Sequence, residues 1–105
     1  MYVFFSDLDG TLLNDKKGIT PRTKMAVDAF VAAGNRFVIS TGRPLQSALA
    51  VQKRLELAFP GSYVSAYNGA VIYDSTAGKA LYETGISQDL VGRALEIADA
   101  CHVHI

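Results

Sequence analysis

The chain has 105 residues with ten basic and ten acidic side chains, and half of its residues are hydrophobic. This length fits one domain or part of one, and this apolar content allows a packed core, which argues against a disordered chain. The formal charge of zero gives no electrostatic footprint for nucleic acid or for an anionic membrane, so neither is expected as a partner.

Cysteine content and the start of the chain bear on where the protein works. Cys101 is the single cysteine, so no intramolecular disulfide can form and a reducing compartment is expected. The apolar stretch 1–5 is too short for a signal peptide and lacks its basic region. No stretch reaches the roughly 18 apolar residues of a membrane span. The sequence therefore predicts a soluble, cytoplasmic protein.

The first two thirds of the chain alternate predicted strands with predicted helices. Short runs of β-branched and aromatic residues predict strands at 2–5, 36–39 and 63–66, the first of them buried on both faces. Helical spacing of apolar residues predicts helices between Pro21 and Gly34 and from 45 to 55. Strand, helix, strand, helix, strand is the order of an α/β fold with a parallel sheet and right-handed crossovers.

The last third adds a hairpin and a further helix. Strands at 70–73 and 80–82 are predicted to pair, and a helix follows Ser87 through Ala98. Residues 101–105 alternate in character and predict a final strand.

The final segment holds the single cysteine and both histidines of the chain. Cys101 is assigned to the core. His102 and His104 would share one face of the strand, but a zinc site needs a third ligand and none is evident, so exposed histidines are expected.

Two acidic residues follow the first predicted strand directly. Asp7 and Asp9 are two apart, so in extended backbone both can point to one side while Leu8 points into the core. Two neighbouring carboxylates suit a hard divalent cation, and Gly10 allows a sharp turn. The alternative is a solvated acidic loop with a simple Asp-Gly turn. The position at the carboxyl end of a strand, where such sheets bind ligands, favours the site.

A second polar loop, Thr41-Gly42-Arg43-Pro44, follows the second predicted strand. A hydroxyl, a glycine N–H and a helix N-terminus together suit an anion, and a guanidinium matches phosphate oxygens. The alternatives are helix capping by Thr41 and Pro44 and a surface charge at Arg43. The later Asn68-Gly69 is either a bare type I′ hairpin turn or a ligand contact.

The segment Asp7-Leu8-Asp9-Gly10-Thr11-Leu12-Leu13 resembles the first signature motif of the haloacid dehalogenase superfamily. The segments Thr41-Gly42-Arg43-Pro44 and Asn68-Gly69-Ala70 resemble its Cof-like sugar-phosphatase branch. The resemblance implies an Mg²⁺-dependent phosphatase acting on a small, sugar-phosphate-like metabolite. Asp7 would be the nucleophile that forms an aspartyl-phosphate, and Asp9 the general acid and base.

The same resemblance implies the ligand sets. Mg²⁺ would be held by the Asp7 side chain and the Asp9 main-chain carbonyl. The substrate phosphate would meet a set of polar residues, namely Thr11, Thr41, Gly42, Arg43 and Asn68.

For the architecture, the resemblance implies an incomplete HAD-like, Rossmann-like parallel sheet core with helices on both faces, followed by the beginning of an α+β cap. The expected domains are a partial catalytic core at 1–82 and the start of a truncated cap at 83–105.

The family pattern also includes a third motif with a Lys or Arg and a fourth with acidic metal ligands, and neither is found in this sequence. Lys79 falls in a predicted hairpin and is not assigned the third role. We therefore expect impaired turnover, with a non-catalytic phosphate-binding or oligomerisation module as the alternative. The first strand would also lie at an uncovered sheet edge, so a homo-oligomer is expected.

Overall fold

A computed structural model describes all 105 residues. The chain forms five strands and three helices in this order: β1 Val3–Asp7, α1 Pro21–Ala32, β2 Arg36–Ser40, α2 Leu45–Arg54, β3 Ser62–Ala66, β4 Val71–Asp74, β5 Lys79–Glu83 and α3 Gln88–Ala100. Each of these elements was predicted from the sequence to within a few residues. The α/β class is confirmed.

The strands form one sheet in the order β1-β2-β3-β4-β5. The first three are parallel, whereas β4 pairs antiparallel with β3 and β5 antiparallel with β4. The sheet is therefore mixed, with a parallel half that holds the two polar loops. Asp7 pairs with Ser40 and Ser40 with Ser65, so the carboxyl ends of the three parallel strands are level.

Local signals fix both ends of α1. The Thr20 side chain accepts a hydrogen bond from the Thr23 N–H at 3.2 Å, and Pro21 takes the first helical position. Gly34 follows the helix with a φ of +89°, a left-handed conformation that glycine adopts without strain. These signals confirm the predicted start and end of the helix.

The core lies between the sheet and the first two helices. Its cluster combines Phe37, Ile39 and Val64 of the strands with Val27 of α1 and Val51 of α2. Both helices join one cluster and therefore cover the same face of the sheet, as two successive right-handed crossovers in one direction require. The family resemblance had implied helices on both faces of the sheet, whereas α1 and α2 lie on the same face.

Two sequence predictions for residues 101–105 are wrong. The predicted final strand is absent, because the backbone after α3 closes the helix instead: His102 has a φ of +54°, and the Val103 N–H donates to the Ala98 carbonyl at 2.9 Å. Cys101 is exposed and does not belong to the core. His102 and His104 therefore do not share a strand face.

The first strand is also not buried on both faces, as its apolar sequence had predicted. It lies at the edge of the sheet, and the side chains of Val3, Phe4 and Phe5 are about half exposed. The edge position agrees with the expectation drawn from the family resemblance.

The helix α3 contributes Ala98 alone to the buried residues. None of the three helices combines the length and the hydropathy that crossing a membrane requires.

Candidate active site

The two polar loops border one open cavity at the carboxyl ends of the parallel strands. Its volume is about 570 Å³, which lies in the range of small-molecule sites. Five of its six lining residues are not hydrophobic, and the complete set is Phe5, Asp7, Ser40, Thr41, Gly42 and Asn68.

Asp7 ends β1 and presents its carboxylate to this cavity. Its Oδ1 accepts a hydrogen bond from the Leu8 N–H at 2.7 Å, and the Leu8 side chain is fully buried. The burial of Leu8 confirms the prediction that it points into the core. Gly10, with a φ of +77°, then turns the chain, and the Leu13 N–H closes the turn on the Leu8 carbonyl at 2.9 Å. The buried Leu8 side chain and the hydrogen-bonded turn from Leu8 to Leu13 together fix the main chain that follows Asp7.

Asp9 is not among the residues that line the cavity. Its two carboxylate oxygens accept hydrogen bonds from Nε and Nη2 of Arg43, both at 2.7 Å. Lys17 lies further away, with its Nζ 3.6 Å from Asp9 Oδ1. The hydrogen bonds from Arg43 hold the pKa of Asp9 below its ordinary value, and Asp9 in turn raises the pKa of Arg43. Asp9 is therefore an ionised carboxylate in this arrangement.

Thr41 and Gly42 form the second side of the cavity. Thr41 is buried, its N–H donates to the Ser65 carbonyl, and its Oγ1 accepts from the Arg43 N–H at 3.1 Å. The hydroxyl thus braces the turn before α2, and α2 begins at Leu45 without a side-chain cap. Helix capping does not account for Thr41.

Asn68 lies over this loop, in the connection between β3 and β4. Tyr67, Asn68 and Gly69 all have positive φ values, of 50°, 56° and 97°. Their backbone is tied to the cavity loop, because the Asn68 N–H donates to the Thr41 carbonyl and the Tyr67 N–H to the Arg43 carbonyl, each at 3.1 Å. Four residues, 67–70, separate the paired strand ends, so this is not the bare two-residue hairpin turn.

The space between Gly42 and the Asn68 side chain is tight for a larger residue at position 42. A Cβ placed on Gly42 would stand 3.0 Å from the Asn68 Oδ1. A larger residue at position 42 would therefore require the Asn68 side chain to shift by a few tenths of an ångström.

The structure thus brings four of the sequence-predicted site residues together around one cavity, namely Asp7, Thr41, Gly42 and Asn68. Asp9 and Arg43 form a pair outside the cavity lining, and Thr11 is exposed and does not line it. Sequence reasoning did not assign Phe5 to the site, although its two-residue spacing from Asp7 on one strand places both on one face. Lys17 was also missed, because only the loop conformation brings it to Asp9.

The donor set can be tested against Mg²⁺. Asp7 is the one carboxylate that lines the cavity, and no group of three His, Cys, Asp or Glu side chains in the chain could hold a metal ion. Mg²⁺ is commonly bound by one or two carboxylates, with substrate phosphate and water completing its shell. The residues present fit such an open site but not a closed site made of protein ligands alone.

Comparison with known proteins gives a consistent family match. A family model described as haloacid dehalogenase-like hydrolase matches residues 4–105. The chain is 33% identical over 106 residues to the 5-amino-6-(5-phospho-D-ribitylamino)uracil phosphatase YitU of Bacillus subtilis, covering 98% of this chain and 37% of that protein. The chain thus spans little more than a third of this relative's length.

Solved structures of similar proteins superpose on nearly the whole of this chain. A haloacid dehalogenase-like hydrolase from Bacteroides thetaiotaomicron superposes with a TM-score of 0.79 at 29% identity, over 96% of this chain and 38% of that one. The subclass IIB sugar phosphatase BT4131 superposes with a TM-score of 0.67 at 26% identity, over 94% of this chain and 37% of that one.

Proposed function

The chain belongs to the haloacid dehalogenase-like hydrolase family, and from this premise we propose that it provides the nucleophile side of an Mg²⁺-dependent phosphatase site. The substrate would be a small phosphorylated metabolite resembling a sugar phosphate. One observation carries the proposal: the Asp7 carboxylate and the Thr41-Gly42 loop border the same polar cavity. A carboxylate beside an anion-binding loop can attack a phosphorus atom that the loop holds.

In the first step, an Asp7 carboxylate oxygen forms a bond to phosphorus while the bond from phosphorus to the ester oxygen breaks. The bonding electrons leave with the ester oxygen, which takes a proton from Asp9 acting as general acid. The product is an aspartyl-phosphate on Asp7 and a free alcohol.

In the second step, a water molecule attacks the phosphorus of the aspartyl-phosphate. Asp9, now a carboxylate, takes the proton of the water, the bond from phosphorus to Asp7 breaks, and inorganic phosphate leaves. Asp7 returns to its ionised state. The pairing of Asp9 with Arg43 keeps Asp9 ionised, so the first step requires that Asp9 leave Arg43 and take up a proton from solvent before it acts as general acid.

The remaining residues would hold the phosphate group. The Thr41 hydroxyl, the Gly42 N–H and the Asn68 amide, all from residues that line the cavity, would donate to its oxygens, and Arg43 and Thr11 would complete the set from outside the cavity lining. Mg²⁺, held by the Asp7 side chain and the Asp9 carbonyl, would neutralise phosphate charge.

The role of Asp7 is tested by the hydrolysis of a generic phosphomonoester with and without Mg²⁺. We expect slow, Mg²⁺-dependent hydrolysis by the wild-type chain and none above background for Asp7→Asn. Asp15→Asn is the matched control, because Asp15 is an exposed residue of the following loop and forms no ion pair. Mg²⁺-dependent hydrolysis at equal rates by the wild type and Asp7→Asn would exclude Asp7 as the nucleophile.

A second candidate function is phosphate binding without turnover, or an oligomerisation module. No Lys or Arg lines the cavity, and phosphoryl transfer needs cationic stabilisation of the developing charge. The chain also spans 37% of the length of YitU. In the same assay, this candidate predicts no hydrolysis by the wild-type chain although inorganic phosphate still binds.

Three further features remain proposals. We propose a cytoplasmic location because the single, exposed Cys101 gives no disulfide framework. We also propose a division into a core at 1–82 and the start of a cap at 83–105, a boundary that falls at the last residue of β5. Self-association through β1 is considered below.

A further inference from the structure

The guanidinium fork that suits a phosphate group already has a partner. Nε and Nη2 of Arg43 each donate to a different oxygen of Asp9 at 2.7 Å, and Nη1 donates to Ser47 Oγ at 3.3 Å. This fork is the arrangement that also binds two phosphate oxygens at once. While the pair is formed, Arg43 cannot offer these two N–H groups to a phosphate, and Asp9 is held among residues that do not line the cavity.

The main chain of Arg43 is fixed beside the cavity. Its N–H donates to Thr41 Oγ1, and its carbonyl accepts from the Tyr67 N–H, both at 3.1 Å. The preceding residue, Gly42, lines the cavity. The main chain of Arg43 thus stays beside the cavity while its side chain is free to change partner by rotation about its own bonds.

The pair is also accessible to a competing anion. The side chains of Arg43 and Asp9 are 30% and 41% exposed. Ion pairs at such exposure contribute little to stability because solvent screens them. A phosphate group carries more charge than a carboxylate and can compete for the same fork.

We propose that Arg43 exchanges Asp9 for the phosphate group of the substrate, so that filling the cavity frees the Asp9 carboxylate to reach the reacting oxygens. The inference rests on the proposed function, since it requires the cavity to hold phosphate. Arg43 is then a positioning residue for Asp9 before phosphate binds and a phosphate ligand afterwards. Lys17, at 3.6 Å, stays as the weaker partner of Asp9.

Competition between Asp9 and phosphate is measured by a double-mutant cycle. The dissociation constant of inorganic phosphate is determined by NMR titration at fixed ionic strength for the wild type, Asp9→Asn, Arg43→Gln and the double variant. Asp9→Asn should tighten phosphate binding at least about fivefold when Arg43 is present, the lower end of coupling between linked sites. The same substitution should change it less than about twofold when Arg43 is replaced, because the fork that Asp9 occupies is then absent.

The control separates exchange from simple charge removal. Asp15→Asn removes the same charge from the same loop region without touching Arg43 and should leave phosphate binding unchanged. If Asp9→Asn tightens binding equally with and without Arg43, the exchange is wrong while the phosphate cavity stands. If phosphate binds to none of the four proteins, the proposed function fails, and the exchange fails with it.

A second readout observes Arg43 directly. In the wild type, the Nε–H resonance of Arg43 should shift on phosphate addition, and in Asp9→Asn it should start from a different position. Arg43→Lys keeps the charge but lacks the fork, and it should show less than half of the coupling; it replaces Arg43→Gln in the cycle if that variant does not fold. An Nε–H resonance that does not move while phosphate saturates the cavity would overturn the exchange.

Discussion

At the scale of single residues, the close approach of Asn68 to Gly42 shapes one side of the cavity. Asn68 is one of three successive residues with positive φ, and two hydrogen bonds tie this turn to the Thr41–Arg43 loop. The turn therefore has little freedom to move aside. The Asn68 side chain lies beside Gly42, where its Oδ1 would be 3.0 Å from a Cβ at position 42.

We predict that Gly42→Ala lowers the free energy of unfolding by about 1–3 kcal/mol, the usual cost of overpacking, and weakens phosphate binding. The reason is the 3.0 Å approach of the new Cβ to Asn68 Oδ1. Urea unfolding and phosphate titration measure the two effects. In an Asn68→Ala background the stability cost should largely vanish, and Gly85→Ala, where a Cβ meets nothing within 4 Å, is the control. An equal cost in both backgrounds would contradict the account.

Residue types and their spacing predicted much of the site. Asp7, Thr41 and Gly42 are predicted from local motifs, because each motif follows a strand and parallel strands end at one edge, whereas Asn68 is implied by the family resemblance. The sequence could not show that Arg43 turns to Asp9, 34 residues away, since that depends on side-chain rotamers. Roles for these residues remain proposals.

At the scale of elements, β1 differs most from its sequence pattern. An apolar run predicts burial on both faces, but burial depends on neighbouring strands, and β1 has a partner only on the side of β2. The final segment shows the same limit. Its alternating residues suit a strand, yet no strand lies beside it, and its N–H groups cap α3 instead.

We expect β1 to pair with β1 of a second copy, because an exposed apolar edge without Lys or Pro is a template for strand addition. Val3→Lys should weaken self-association at least about tenfold, or ~1.4 kcal/mol, as measured by sedimentation over a range of concentrations. Met25→Lys changes an exposed apolar residue of α1 in the same way and should have no such effect. A wild-type chain that stays monomeric at every concentration would contradict edge pairing.

At the scale of the whole molecule, the parallel half of the sheet and the two helices on it form the packed core, while the hairpin strand β5 and the helix α3 are largely exposed. The order of elements predicted this α/β topology because crossover handedness leaves few alternatives. The chain spans little more than a third of YitU, so the activity and substrate of the full-length relatives enter here as proposals. The chain itself has a polar cavity with Asp7 on one side and the Thr41-Gly42 loop on the other.

The central claim is that this cavity holds a phosphate group between Asp7 and the Thr41-Gly42 loop. The most direct measurement is an NMR titration of the wild-type chain with inorganic phosphate, with and without Mg²⁺. The account predicts saturable shifts of the Thr41, Gly42 and Asn68 amides, and Mg²⁺ should strengthen binding in the wild type but not in Asp7→Asn. Shifts confined to other surfaces, or no saturation at these three amides, would contradict it.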